Sequence, residues 1–244
     1  AAPNLDMNIC VENTTFLSLA IDESSIEFIK FYLGHLQNCS IFNEHSSNSP
    51  FVVAIRTRKL DIINLFIDFL DSKIGQQTDN IILGLKLLLK DLRSLSNPQL
   101  DEITLQIVQR LSTVADIDLN FACQTETFMT FAIQISSAPL VRCCLENMKK
   151  RGQLDEVSPT HPLVYAIQTC NYQFIDLIID FFGKDITNQT KQINLGFQSL
   201  ITKNQYSRNS SDSYSKIIQK FIDTGNFDLH SLPVVESLLQ SSIQ

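Results

Sequence analysis

Apolar and polar residues along the chain fall into groups typical of a short helix followed by a longer one. In residues 15–33 (TFLSLAIDESSIEFIKFYL) the first apolar group suits about two helical turns, and the second has i, i+3, i+4 spacing. The polar run DESS between them contains residues that favour turns. The pattern therefore predicts a helix, a tight turn and a second helix.

The same pattern occurs in three further segments, at residues 49–67, 127–145 and 161–179. An alanine followed by isoleucine is common to all four segments; the alanines are Ala20, Ala54, Ala132 and Ala166. A larger side chain would overpack a close helix contact at a cost of about 1–3 kcal/mol. The alanines therefore predict that neighbouring helices approach closely at this point.

The chain also resembles itself at one constant offset, without a gap. Thr15, Phe16, Pro50, Ala54, Leu83 and Gly84 recur as Thr127, Phe128, Pro162, Ala166, Leu195 and Gly196. We call the step from Thr15 to Thr127 the long offset. The sequence predicts a single all-α domain over residues 1–244, with an internal duplication of 14–119 and 126–230.

Each copy contains a shorter repeat of its own. The step from Ala20 to Ala54 equals the step from Ala132 to Ala166, and we call it the short period. Periods of about 20–50 residues are typical of stacked helical units. The short period therefore predicts that the helix pairs stack on one another.

Two weaker helix pairs complete the pattern, at residues 81–92 with 100–111 and at 193–201 with 214–222. With these two pairs, the sequence predicts about six irregular repeats, arranged as two homologous triplets. The polar run at 202–213 predicts a mobile loop between the helices of the last pair. Residues 5–11 and 232–239 are predicted to form terminal helices.

The unit resembles the ankyrin repeat. Its Thr-Pro-Leu-His-x-Ala pattern is matched by Thr15 and Thr127 at the Thr position, by Pro50 and Pro162 at the Pro position, and by the four alanines. Residues 115–120 (ADIDLN) resemble the Ala-Asp-Val-Asn segment of the ankyrin finger. The resemblance implies an ankyrin-like helical solenoid, in which partners bind the concave face built from first helices and fingers.

One departure from the ankyrin pattern concerns the glycine that ends the first helix. Ser24, Arg58, Ser136 and Cys170 occupy that position. A left-handed conformation costs residues other than glycine and asparagine roughly 1–2 kcal/mol. We therefore expect reshaped turns, with Asn171 serving one position later in the fourth unit.

Charge and composition narrow the range of functions. The net charge of −7 and the pI near 5.0 argue against binding nucleic acid, which requires a basic surface. The sequence contains no apolar run of about 18 residues, so it predicts no membrane span. The six cysteines lack the spacing of a secreted framework, so we interpret them as reduced thiols, mostly in the core, in a cytoplasmic protein.

Candidate chemistry is sparse. The four histidines have no second ligand at helical spacing, and no phosphate-binding glycine loop occurs, so the sequence predicts neither a metal site nor a cofactor. His161, before Pro162, is interpreted as a capping or finger residue. Cys170 is expected to be the most exposed thiol. A small enzyme that uses Cys170 or another thiol as its nucleophile is the third of three hypotheses. No catalytic residue is assigned.

The first hypothesis is a protein-interaction scaffold without catalysis. Under the ankyrin resemblance its partner-binding residues are Asp22, Glu23, Arg56, Arg58, Gln134, Gln168 and Thr169, and its finger-like segments are 40–48, 122–126 and 155–160. The sequence is similar in style to ankyrin effectors of intracellular, Legionella-like bacteria. That similarity implies a host protein as partner and the host cytosol as location. A eukaryotic or protist scaffold fits the residues nearly as well.

The alternative, second hypothesis is the substrate-recognition domain of a larger modular enzyme. The start at Ala1 is compatible with a catalytic part outside this chain.

Overall fold

The computed structural model describes residues 10–11, 14–23, 25–35, 46–93, 102–123, 126–204 and 210–224. The described residues are mostly helical, with two short antiparallel β-ladders. The all-α prediction is confirmed at this level. The chain divides into two compact units, Ala1–Asp118 (the first unit) and Leu119–Gln244 (the second unit).

The first unit begins with a small hairpin and continues with helices. In the hairpin, β1 (Cys10–Val11) pairs antiparallel with β2 (Thr14–Thr15). The helices are α1 (Phe16–Asp22), α2 (Ile26–His35), α3 (Pro50–Arg56), α4 (Leu60–Leu70), α5 (Thr78–Arg93) and α6 (Glu102–Val114). A 3-10 helix, Asp71–Gln77, joins α4 to α5.

The second unit repeats this order. Its hairpin consists of β3 (Ala122–Cys123) and β4 (Glu126–Thr127). Its helices are α7 (Phe128–Gln134), α8 (Ala138–Lys150), α9 (Pro162–Gln168), α10 (Tyr172–Phe182), α11 (Thr190–Asn204) and α12 (Ser210–Asp223). Two 3-10 helices, Gln153–Asp155 and Gly183–Gln189, complete it. From the hairpin to the start of the fifth helix, every element shared by the two units begins at positions separated by the long offset. The duplication seen in sequence is therefore also a duplication of structure.

Helices within each unit pack in two series. In the first unit α3 contacts both α1 and α5, while α4 contacts both α2 and α6. In the second unit α9 contacts α7 and α11, and α10 contacts α8 and α12. The first helices of successive pairs therefore pack on one another, as do the second helices.

The linkers and termini depart from the predictions in part. The predicted loop at 202–213 is shorter than expected, because α11 continues to Asn204 and α12 begins at Ser210. Residues 10 and 11 form β1 and are not part of a terminal helix. The remainder of the predicted helix at 5–11, the predicted helix at 232–239 and residues 94–101 lie outside the described residues.

The Ala-Ile positions lie in the core, as predicted. Ala54, Ala132 and Ala166 are completely buried, and Ala20 is nearly so. The isoleucine that follows the alanine makes a close contact with another helix. A Cβ atom placed on Gly84 of α5 would lie 2.9 Å from Ile55 Cδ1 and 3.0 Å from Ile55 Cβ. Gly196 of α11 meets Ile167 at the same two distances.

The turns after the first helices are not reshaped, so that prediction was wrong. Arg58, Ser136 and Cys170 all have positive φ, at 59°, 56° and 50°. Each turn closes with two bonds: Arg58 N–H donates to Ile55 O, and Lys59 N–H donates to Ala54 O. These are the bonds of a Schellman motif, and they hold the left-handed residue in place although it is not glycine. Ser24 lies outside the described residues.

Asn171 does not replace that residue. It has φ −84° and is the N-cap of α10, where its side chain accepts a hydrogen bond from Phe174 N–H. Asparagine is a preferred N-cap because its side-chain oxygen pairs with a backbone N–H that the helix leaves free. Its place in the turn is therefore explained by the helix that follows.

We expect Gly84→Ala to destabilise the chain by roughly 1–3 kcal/mol, because the new methyl group overpacks against Ile55. The matched control is Gly34→Ala in α2, where an added Cβ would meet no atom within 4 Å. That control should stabilise the chain by up to about 1 kcal/mol, since alanine is the better helix former. Urea unfolding measures both changes, and equal effects from the two substitutions would contradict the close contact.

A second prediction uses the residue that ends α4. Asp71 has φ 43° and ψ −118°, and its counterpart Gly183 has φ 53° and ψ −124°. Only glycine adopts this region without strain, so Asp71→Gly should stabilise by about 1 kcal/mol and Gly183→Asp should destabilise by a similar amount. Thermal unfolding of both variants tests the exchange, and shifts of the same sign would refute the shared strain.

Candidate functional site at the ends of the first helices

The sequence-predicted partner-binding residues lie where the first helices of the pairs end. Asp22 is the last residue of α1, Arg56 of α3, Gln134 of α7 and Gln168 of α9. The remaining three, Glu23, Arg58 and Thr169, lie in the turns that follow. All seven are exposed except Gln168, which is half-buried. These positions form a set in each unit because α1 contacts α3 and α7 contacts α9.

Arg56 is held by an acidic residue that the sequence analysis did not identify. Its Nε donates to Asp91 Oδ2 at 3.2 Å, across from α3 to α5. Both side chains are about half exposed, so solvent screens the pair and its contribution to stability is small. Asp91 lies 35 residues after Arg56, which is close to the short period. The period could therefore have identified it.

Gln134 also has a partner on a neighbouring helix, about one short period further along the chain. Its Nε2 donates to the hydroxyl of Tyr165 on α9 at 2.8 Å, and Tyr165 lies 31 residues later. Thr169 is exposed, and its hydroxyl donates to the carbonyl of Tyr165, four residues earlier along the chain, at 2.8 Å. Tyr165 therefore belongs with the candidate residues of the second unit, although the sequence analysis did not include it.

The first unit adds exposed apolar side chains to this surface. Phe16 and Leu19 on α1 are 43% and 44% exposed. Leu19 and Asp22 are separated by one helical turn and share a helix face. Phe128 and Phe131, the counterparts of Phe16 and Leu19 in the second unit, are completely buried. The apolar stripe leading to the end of α1 is therefore a feature of the first unit and not of the repeated scaffold.

One predicted finger segment belongs to a hairpin, and the other two contain the same kind of turn. Residues 122–126 include the ends of the β3–β4 hairpin, with 124 and 125 outside the described residues, as are 40–45. Residues 46–48 and 158–160 form the same turn, in which a serine hydroxyl accepts from the N–H two residues later. In the first unit this turn is fixed to α1, because Ser18 Oγ donates to Asn48 O at 2.7 Å.

His161 caps α9, which confirms the predicted role in part. It is 2% exposed. Its Nδ1 accepts from Leu163 N–H at 3.2 Å, and its Nε2 lies 3.1 Å from Leu154 O. This pairing requires the neutral ring, with the proton on Nε2 donated to the carbonyl. Burial lowers the pKa of His161 from 6.5 to about 4, although the bond to Leu154 O and the nearby Asp155 raise it slightly.

The cysteines whose side chains are described form no disulfide and differ in exposure. Cys144 is buried, whereas Cys143 and Cys170 are half-buried, so the core assignment holds for one of the three. Burial, and to a lesser extent Cys143, raises the pKa of Cys144 well above its usual range, which suits a packing residue and not a nucleophile. Cys170 lies in the strained turn after α9. The side chains of the other three cysteines lie outside the described residues.

Within the described ranges, no three side chains of His, Cys, Asp or Glu come close enough together to hold a metal ion. None of the helices that the structure describes combines the length and the apolar character needed to cross a membrane.

No protein-family model, curated protein or solved structure matches the chain. The internal duplication therefore provides the comparison: each candidate residue can be set against its counterpart at the long offset.

The cap of α9 predicts a pH-dependent stability. Between pH 6.5 and 4 the unfolded chain takes up a proton at His161 that the folded chain does not. Stability should therefore fall as the pH drops through this window, by roughly 3 kcal/mol from this residue. The variant His161→Asn keeps a capping side chain without a titrating ring. The difference in unfolding free energy between wild type and variant, measured by urea unfolding at pH 7 and pH 4, should shift by that amount. A difference that stays constant with pH would contradict the assignment.

Proposed function

We propose that this chain is an ankyrin-like helical array that binds a partner protein through the exposed ends of its first helices. In this proposal the chain has about six irregular repeats, three in each unit. The partner-binding residues are Asp22, Glu23, Arg56 and Arg58, with Leu19 and Asp91, in the first unit, and Gln134, Gln168 and Thr169, with Tyr165, in the second unit.

The observation that carries the proposal is the contrast between a repeated scaffold and a varied surface. The helix starts recur at the long offset, and Ile55 and Ile167 make the same contacts in the two units. The next residue along the chain is exposed Arg56 in one unit and half-buried Gln168 in the other. A scaffold that is held constant while its surface differs is typical of repeat proteins that bind partners.

Two local features support the ankyrin-like assignment. A short antiparallel hairpin precedes α1 and another precedes α7, in the place of ankyrin fingers. The turns after α3, α7 and α9 have a left-handed residue where the ankyrin pattern has glycine. The step from α1 to α3 equals the step from α7 to α9, and both are the short period, which is close to that of ankyrin repeats.

The sequence style favours a bacterial effector that acts on a host protein in the host cytosol. This part of the proposal rests on amino-acid composition. The substrate-recognition domain of a larger modular enzyme would use the same surface. The complete reading frame distinguishes the two, because the second requires a catalytic domain in the same chain.

The experiment is an affinity capture from eukaryotic cell lysate, read by mass spectrometry. It compares the wild-type chain with a variant carrying Arg56→Glu, Arg58→Glu and Gln134→Ala. We expect at least one protein to be retained by the wild type and to bind the variant about tenfold more weakly or worse, because charge reversal at an interface disrupts it. Leu19→Asp, on the exposed stripe, should weaken binding of the same protein.

The matched control is Arg110→Glu with Arg142→Glu, which reverses two exposed charges on the second helices α6 and α8. Circular dichroism should be used to check that every variant is folded. Capture that is lost equally in the control would indicate general electrostatic attraction. Capture that is unchanged in every variant would place the interface outside the first-helix ends and overturn the proposal.

A further inference from the structure

A cleft in the second unit lies away from the first-helix ends, where α8 and α10 terminate. It has a volume of about 320 Å³. Lys149 lines it from the end of α8, Phe181 and Phe182 from the end of α10, and Asp155 and Asp185 from the two 3-10 helices. We call it the Phe181 cleft. Its volume is at the lower end for ligand pockets and suits a single long side chain better than a helix.

The aromatic side of the Phe181 cleft already attracts a cation. The rings of Phe181 and Phe182 are half-buried and pack edge to face, with centroids 5.9 Å apart. Lys149 Nζ lies 5.6 Å from the centroid of the Phe181 ring. A cation at that distance is attracted by the negative face of the ring. The carbonyl ends of α8 and α10 favour positive charge as well.

The polar side of the cleft has one buried acceptor without a partner and an exposed carboxylate. Gln189, which lines the cleft, is 2% exposed. Its Nε2 donates to Asp155 Oδ1 at 3.4 Å, while its Oε1 has no hydrogen-bond partner among the described residues. Asp185 is an exposed carboxylate on the same cleft. A buried acceptor without a partner is costly, so this side is suited to a ligand that donates hydrogen bonds.

The first unit lacks this chemistry at the matching positions. Lys73 is the counterpart of Asp185, and Asn43 is the counterpart of Asp155. Phe69 matches Phe181, but Leu70 stands in place of Phe182. The two carboxylates and the second ring are therefore specific to the second unit, and the scaffold does not require them.

We propose that the Phe181 cleft binds an arginine side chain of a partner protein. A planar guanidinium can stack on a ring and donate several hydrogen bonds at once, which an ammonium group does less well. In the bound state it takes the place of Lys149 over Phe181 and pairs with Asp185. This site shares no residue with the first-helix surface, so it does not depend on the function proposed above.

The test is an NMR titration of the isotope-labelled full chain with the peptide acetyl-Ala-Ala-Arg-Ala-Ala-amide. We expect saturable shifts of amides in residues 181–189, and binding about fivefold weaker when citrulline, which is neutral and nearly isosteric, replaces arginine. A second peptide, in which lysine replaces the arginine, should also bind more weakly than the arginine peptide. A parallel titration with guanidinium chloride tests whether a small cation binds the cleft without a peptide.

Three variants sharpen the test. Asp185→Lys copies the first unit, where Lys73 shows that the scaffold accepts lysine, and should weaken binding about fivefold or more. Lys149→Met removes the competing cation and should strengthen binding. Lys150→Met, one residue further along and outside the cleft lining, is the matched charge control and should have less effect than Lys149→Met.

Other outcomes would overturn the proposal. Equal binding of the arginine and citrulline peptides would exclude a charged ligand. Guanidinium chloride binding as tightly as the peptide would show a site for small cations and not for a partner side chain. Equal effects of Lys149→Met and Lys150→Met would show that binding depends on the overall charge of the chain and not on the cleft. None of these outcomes depends on the lysate capture, so the two proposals fail separately.

Discussion

The contact of Gly84 with Ile55 determines how closely α5 can pack on α3, and Gly196 with Ile167 does the same for α11 on α9. Because a Cβ atom would lie within about 3 Å of the isoleucine, each glycine is required by space and not by backbone conformation. The same pair of helices carries the Arg56–Asp91 ion pair. The surface position of Arg56 is thus set by a core contact one residue away, so packing and candidate site are parts of one arrangement.

The turns that follow the first helices combine structure and surface in the same way. Arg58 and Cys170 have left-handed backbones although glycine would be less strained, and Schellman bonds to the preceding helix hold them there. A side chain at this position is exposed in Arg58 and half-buried in Cys170. Each of these turns therefore has a side chain at a left-handed position, where glycine would have none.

The ends of the first helices followed from the sequence because helix ends are determined locally. Asp22, Arg56, Gln134 and Gln168 are the last residues of their helices, since apolar spacing and turn residues define where a helix of this length ends. Their role in partner binding stays a prediction. Their partners Asp91 and Tyr165 were missed, because each lies about one repeat away along the chain. The Phe181 cleft was missed for the same reason: its residues come from four elements that only tertiary packing brings together.

The sequence by itself determined the helix pairs, the short period, the long offset, the buried alanines and the cap of α9, because local spacing and core volume govern these features. Tertiary structure decided the rest. It kept the left-handed turns where local propensity predicted a change, since two backbone hydrogen bonds outweigh the strain at one residue. It also exposed Phe16 and Leu19 while burying Phe128 and Phe131, a difference between identical or similar residues that no local pattern contains. Burial depends on which neighbours a helix face meets, and the neighbours are set by the packing of distant segments.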